Sequence, residues 1–159
     1  MDVRAICDLP KSKIIHFFEY HWGSPQMVIS SGVYDCSELD GFAVLRDDEI
    51  IGLITYVIEN NECEIISLDS VEEGKGIGSL LVKEVETYAN LQGVKLMKLV
   101  TTNDNLLALK FYQKRGYILS KILNNAVEKA RKIKPEIPLI GNDGIPIRDE
   151  IELIKLLEE

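Results

Sequence analysis

The stretch Ser67-Leu68-Asp69-Ser70-Val71-Glu72-Glu73-Gly74-Lys75-Gly76-Ile77-Gly78-Ser79-Leu80-Leu81 decides the fold of this chain. Residues 64–68 read as an apolar strand, and a tight turn follows with glycines at three alternate positions, Gly74, Gly76 and Gly78. A helical pattern begins at once, because Ile77, Leu80, Leu81, Val85, Tyr88 and Ala89 recur at the spacing of one helix face. Such a turn gathers backbone N–H groups at a helix N-terminus with no Cβ in the way, which is a site for phosphate. A glycine turn alone is weak evidence, since many strand-to-helix turns use glycine only to reach positive φ. Rival phosphate loops fit worse. A Walker loop ends in Gly-Lys-Ser/Thr, and the Rossmann fingerprint sits early in a βαβ unit, whereas antiparallel strands precede this turn.

Upstream, residues 2–7 read as a short strand and residues 10–20 as a helix, with Ile14, Ile15, Phe17 and Phe18 as its apolar stripe. Gly23, Ser24 and Pro25 break the pattern, so residues 21–31 are predicted as an irregular loop or short second helix. Strands follow at 42–45, 50–58 and 62–68, joined by the polar turns Arg46-Asp47-Asp48-Glu49 and Asn60-Asn61. On the last of these strands simple alternation puts Glu62 and Glu64 on one face with Ile66 and Leu68. Downstream, Gly93 stops the helix, and residues 94–101 form an apolar strand. Asn103-Asp104-Asn105 offers N-cap chemistry for a helix over 106–115, which Gly116 ends. A strand at 117–123, a helix at 125–134, a loop at 135–146 with an Asn-Asp-Gly turn, and a closing strand from 147 complete the chain. That order predicts an α/β fold with a mixed, mainly antiparallel central sheet and helices on both faces. Neither a linker nor a repeat interrupts it, so residues 1–159 are expected to form a single domain.

Composition narrows the function classes. A chain of 159 residues with 46% apolar content has the profile of a soluble globular domain. A net charge of -8 argues against nucleic acid as a partner, and no segment has the length of a membrane span. Cys7, Cys36 and Cys63 are odd in number and far apart, which fits neither a disulfide framework nor a zinc site and predicts a reducing cytoplasm. The N-terminus shows no signal-peptide pattern. No metal is expected.

A second motif, Asn105-Leu106-Leu107-Ala108-Leu109-Lys110-Phe111-Tyr112-Gln113-Lys114-Arg115-Gly116-Tyr117, follows the glycine turn. The pair at this separation resembles the GCN5-related N-acetyltransferase (GNAT) family, which moves an acetyl group from acetyl-CoA to an amine. The resemblance covers residues 39–117, and residues 121–159 follow as a C-terminal helix, loop and closing strand. It implies acetyl-CoA as co-substrate, held by the turn from Glu73 through Gly74, Lys75, Gly76, Ile77, Gly78 and Ser79. Glu73 stands where the family has Arg or Gln. It implies a bulge in the preceding strand, with Leu68 and Asp69 at the position whose backbone pairs with the pantetheine arm, and Asn105 as a further pantetheine contact. Tyr112 takes the place of the acid that protonates the departing thiolate, whereas Phe111 is expected only to pack on the sheet. Glu64 is a candidate base, with Glu62 and water as alternatives. Trp22, the chain's one tryptophan, falls where the fold builds its acceptor pocket and is either an aromatic wall for a cation or a loop anchor. The acceptor would be a small-molecule or peptide amine, and a homodimer is compatible with the scaffold. The alternative is a non-catalytic member that binds acyl-CoA as a sensor.

Overall fold

A computed structural model describes residues 2–72 and 74–158. Among the described residues the elements run β1 (Asp2–Ala5), α1 (Lys11–Trp22), β2 (Gln26–Ile29), β3 (Gly32–Asp35), β4 (Asp40–Arg46), β5 (Glu49–Glu59), β6 (Glu62–Ser70), α2 (Ile77–Leu91), β7 (Leu96–Thr102), α3 (Leu106–Gln113), β8 (Ile118–Leu123), α4 (Ala126–Ile133) and β9 (Glu150–Leu156). Seven strands form one sheet in the order β1-β4-β5-β6-β7-β9-β8, and β2 and β3 form a separate hairpin. The described residues group in two compact units, one of residues 2–27, 34–72, 74–97 and 157–158, the other of residues 28–33 and 98–156.

The first unit is built on β1 (Asp2–Ala5), β4 (Asp40–Arg46), β5 (Glu49–Glu59) and β6 (Glu62–Ser70), all antiparallel neighbours. Both tight turns are of the primed type, which requires positive φ at two successive residues. Asp47 and Asp48 supply it between β4 and β5 (φ 53 and 65), and Asn60 and Asn61 between β5 and β6 (φ 54 and 62). Short polar side chains tolerate this region, which is why those dipeptides carry the turn signal. Two helices cover the sheet, α1 (Lys11–Trp22) and α2 (Ile77–Leu91). The apolar stripe of α1 is buried at Ile14, Phe17 and Phe18, and that of α2 at Ile77, Leu81, Val82, Val85 and Ala89. Gly93 ends α2 as expected, with Val94 N–H closing back on the Ala89 carbonyl at 3.0 Å.

Gly52 sets how closely α2 approaches β5. A Cβ built there would stand 2.4 Å from Cγ2 of Ile77 and 3.2 Å from Cδ1 of Leu81, both fully buried. Gly52→Ala is therefore expected to lower stability by about 1–2 kcal/mol through overpacking. It should also disturb the turn that precedes α2. A thermal melt together with a CoA titration checks both effects, and an unchanged melting temperature would show that the core yields there.

β7 (Leu96–Thr102) begins in the first unit and ends in the second. The second unit adds α3 (Leu106–Gln113), β8 (Ile118–Leu123), α4 (Ala126–Ile133) and β9 (Glu150–Leu156), with β8 and β9 antiparallel. It also takes in residues 28–33, most of the hairpin of β2 (Gln26–Ile29) and β3 (Gly32–Asp35). That hairpin corrects the expectation of a loop or short helix over 21–31: α1 runs on to Trp22, Gly23 caps it at φ 81, and extended backbone starts at Gln26. Two other bounds tighten. α3 stops at Gln113 rather than 115, and β9 starts at Glu150 rather than 147.

Candidate active site

The glycine turn has the conformation that its composition demands. Gly74 and Gly76 lie at φ 76 and 77, and Gly76 is the N-cap of α2. A side chain at either position would meet no atom within 4 Å, so the glycines are not there to relieve crowding inside the protein. They set a left-handed backbone, with open space where a side chain would stand, at the positive end of a 15-residue helix. Arg46 ties down the entrance to the turn: its guanidinium bonds the Glu72 carboxylate at 2.7 Å and holds that carboxyl below its usual range. Lys75 is exposed at the turn itself. Glu73 lies outside the described residues.

Because Gly76 faces open space, Gly76→Ala separates strain from ligand contact. The left-handed alanine costs about 1 kcal/mol of stability. A Cβ on the outer face would additionally keep a pyrophosphate off the amides, so CoA affinity should fall at least tenfold, about 1.4 kcal/mol. Calorimetric titration measures it, and unchanged affinity in the folded variant would rule out the turn as a phosphate cradle.

Strand β6 departs from simple alternation. Thr55 pairs with Ser67 but Tyr56 pairs with Ile65, so Ile66 is an extra residue. The bulge lies at Ile66, two residues ahead of Leu68, whereas the family resemblance matched that position to Leu68 and Asp69. It also overturns the predicted face. Directly paired residues share a side of the sheet, and β5 presents Leu53, Thr55, Val57 and Glu59 on one side. Their partners are Asp69, Ser67, Glu64 and Glu62. Glu62 and Glu64 therefore share a face with Ser67 and Asp69, while Leu68, paired with Ile54, points to the face that α2 covers. A one-residue insertion is invisible to period-two counting, and it assembles a polar row that the sequence had divided between two faces.

The middle of that row, Glu64 and Ser67, is buried, and Glu62 and Asp69 are half-buried. The Thr55 and Ser67 hydroxyls lie 2.5 Å apart, and both hydrogen-bond the buried Cys36 thiol. Glu64 is buried in mid-strand. Trp22, the last residue of α1, donates its indole N–H to Asp69 Oδ1 at 2.8 Å. The other oxygen, Oδ2, is buried without a hydrogen-bond partner among the described residues. Burial pushes the Asp69 carboxyl up to about 6, against the lowering effect of the indole bond. Trp22 is thus tied to the acidic row rather than merely seated in apolar core. The sequence held no signal for a bond between residues 47 positions apart.

Burial likewise pushes the Cys36 and Cys63 thiols up, to about 11 and 12, so neither is a ready nucleophile. Among the described residues no group of His, Cys, Asp and Glu could hold a metal ion, and no helix is long and apolar enough to cross a membrane.

The second unit carries the other motif. Asn105 is the N-cap of α3, and its side-chain oxygen accepts the Ala108 N–H at 3.1 Å. The preceding Asp104 is buried, with one oxygen accepting the Thr102 hydroxyl and the other the Asn142 N–H, which pins the loop at 141–142 to the start of α3. Tyr112 is the buried residue of α3, with ring centroids 5.0 Å from Phe111 and 5.4 Å from Tyr117. Phe111, expected simply to pack on the sheet, is half-buried and carries the Arg115 guanidinium 3.7 Å over its ring. A groove of about 520 Å³ runs in the same unit between the β2–β3 turn and α4, lined by Val28, Val33, Ile122 and Ile133 among others.

Comparison with known proteins follows the same lines. Residues 11–117 match the "Acetyltransferase (GNAT) family", and the chain belongs to that family. It is 57% identical to the uncharacterized protein YxbD of Bacillus subtilis (strain 168), over 99% of this chain and 100% of YxbD. Among solved structures it resembles a GNAT family acetyltransferase from Elizabethkingia anophelis with acetyl-CoA bound, at 25% identity and TM-score 0.67 over 76% of this chain and 78% of that one. An IAA acetyltransferase from Bacillus cereus ATCC 14579 shares the fold over 98% of this chain and 100% of its own, with TM-score 0.72 and 20% identity.

Proposed function

We propose that this protein is an acetyl-CoA-dependent N-acetyltransferase that passes the acetyl group to a primary amine by direct attack in a ternary complex, with residues 1–159 working as one catalytic domain. The observation that carries this reading is the glycine turn: two left-handed glycines with open space above them, at the N-terminus of a long helix, in a chain of the GNAT family. Acetyl-CoA supplies an activated acetyl thioester. The amides of Gly74, Lys75, Gly76, Ile77, Gly78 and Ser79, with Lys75 as a cation, suit its pyrophosphate. Glu73, at the family's basic position, is assigned to the same cradle. The backbone of Leu68 and Asp69 and the side-chain amide of Asn105 are assigned to the pantetheine arm. In the Asn105 side chain the oxygen is committed to the helix cap, which leaves the NH₂ for that contact.

Tyr112 is the proposed acid for the departing sulfur, and a carboxylate of the β6 row is the proposed base. The row offers Glu64, the sequence-derived candidate, and Asp69. Direct attack is favoured over an acyl-enzyme because no cysteine lies at either motif and the buried Cys36 and Cys63 thiols are held protonated.

The test is release of free CoA thiol from acetyl-CoA with a panel of amines, beside a calorimetric measurement of CoA binding. Thiol release that depends on one amine class is the expected result. Tight CoA binding with no release for any amine would make the protein a non-catalytic binder, and no binding at all would overturn the reading.

A further inference from the structure

Asp69 has a carboxylate whose geometry exceeds a backbone role. It stands near the end of β6, just ahead of the glycine turn, with Oδ1 fixed by the Trp22 indole and Oδ2 buried and unpaired among the described residues. The groups brought against it are Leu53 across the ladder, Thr55 and Ser67 on the same face, the Cys36 thiol and the Trp22 ring. Burial raises its proton affinity and the indole bond lowers it. His21, the residue before Trp22 in α1, lies against Phe17 and Tyr20, with ring centroids 4.4 and 5.0 Å away. A buried carboxylate oxygen without a donor calls for one, and the ammonium of a cationic ligand would supply it.

We propose that Asp69 is the residue that receives the acceptor: the ammonium of the amine docks at Oδ2, and Oδ2 takes the proton that must leave before attack. One N–H bond breaks and one O–H bond forms, leaving a neutral amine with its lone pair and a neutral carboxylic acid beside the Trp22 indole. The proposal rests on the N-acetyltransferase reading above. Three observations fit Asp69 to this role, and the last of them sets it apart from Glu64. A base oriented by a third group is the arrangement that catalysis uses, and Trp22 orients Asp69. A base works best with its proton affinity near the working pH, and burial moves Asp69 toward it. Glu64 and Asp69 pair with Val57 and Leu53, which puts Glu64 about 14 Å farther from the glycine turn along the strand. Oδ2 is shielded, so docking requires the surrounding side chains to shift. Trp22, at the very end of α1 and backed by Gly23, is the one bonded to the carboxylate.

Trp22 is also the only tryptophan, so its fluorescence reads the state of Asp69 directly. The experiment titrates that fluorescence with pH, with and without spermidine as the probe amine, in the wild type, Asp69→Asn, Glu64→Gln and His21→Gln. His21 adjoins Trp22 in the chain, which is the reason for the last variant. The expected result is a step near pH 6 that Asp69→Asn abolishes, that the other two variants keep, and that spermidine moves to lower pH. In thiol-release assays Asp69→Asn should lower kcat/KM for spermidine at pH 7 at least tenfold, flatten its acid limb, and leave the Kd for CoA within twofold. A step that survives Asp69→Asn, or a spermidine profile that it leaves unchanged while transfer proceeds, would overturn the proposal. A wild type that binds no CoA would instead sink the acetyltransferase reading, and the spermidine shift of the Trp22 titration would then decide the amine site by itself.

Discussion

Tyr112→Phe is expected to lower turnover by roughly 10²–10⁴ while leaving the fold and CoA affinity in place. The size follows from the chemistry of the leaving group. Expulsion of CoA generates a thiolate, and a positioned phenol can protonate the sulfur as the C–S bond breaks. With reference pKa values near 10 for a phenol and about 8.5 for a thiol, full transfer is uphill, so the benefit arises in the transition state and depends on position. A loss of that size corresponds to about 2.7–5.5 kcal/mol of barrier. The fold should survive because the substitution removes one hydroxyl and keeps the ring that packs against Phe111 and Tyr117. Single-turnover measurement at saturating amine checks the chemical step directly. A fall of less than about threefold would mean that water or another group protonates the sulfur.

Much of this fold is legible locally, and the reasons are physical. The β4–β5–β6 meander announces itself through Asp47-Asp48 and Asn60-Asn61, because few residue pairs tolerate two successive positive φ angles. The step from β6 to α2 is legible because the glycines and the apolar stripe from Ile77 belong to one short segment. The β2–β3 hairpin is not: its strands are four residues each and half-buried, and the Gly23-Ser24-Pro25 punctuation before them reads equally well as a loop. The place of β9 between β7 and β8 is also hidden, since no local pattern records which strand a late segment will join. The candidate site divides the same way. The glycine turn and the Asn105–Tyr112 helix are contiguous motifs. The acidic row and the Trp22–Asp69 bond depend on a single bulged residue, Ile66, and on contacts between distant segments.

Burial of the Asp69 carboxyl makes the stability of the protein depend on pH in a direction opposite to that of most carboxylates. Burial raises Asp69 from its ordinary 3.8 to about 6, so folding stabilises the protonated form. Between those two values the unfolded chain has lost the proton and the folded chain still holds it. Stability contributed by this group is therefore fully present below about pH 4 and is lost as pH rises through 6. The shift converts to about 3 kcal/mol. Asp69→Asn carries no titrating proton, so its stability relative to wild type should rise by about that amount between pH 4 and pH 8, most of it before pH 7. The absolute offset depends on how the new amide is satisfied beside Trp22, but that offset does not vary with pH. Other carboxylates titrate alike in the two proteins and cancel in the difference. Urea unfolding at pH 4, 5, 6, 7 and 8 measures it. Parallel stability curves would mean that Asp69 is solvated in the folded state. A difference of the reverse sign would require a cation beside Oδ2 in the free protein, and would remove the reason for an amine to bind there.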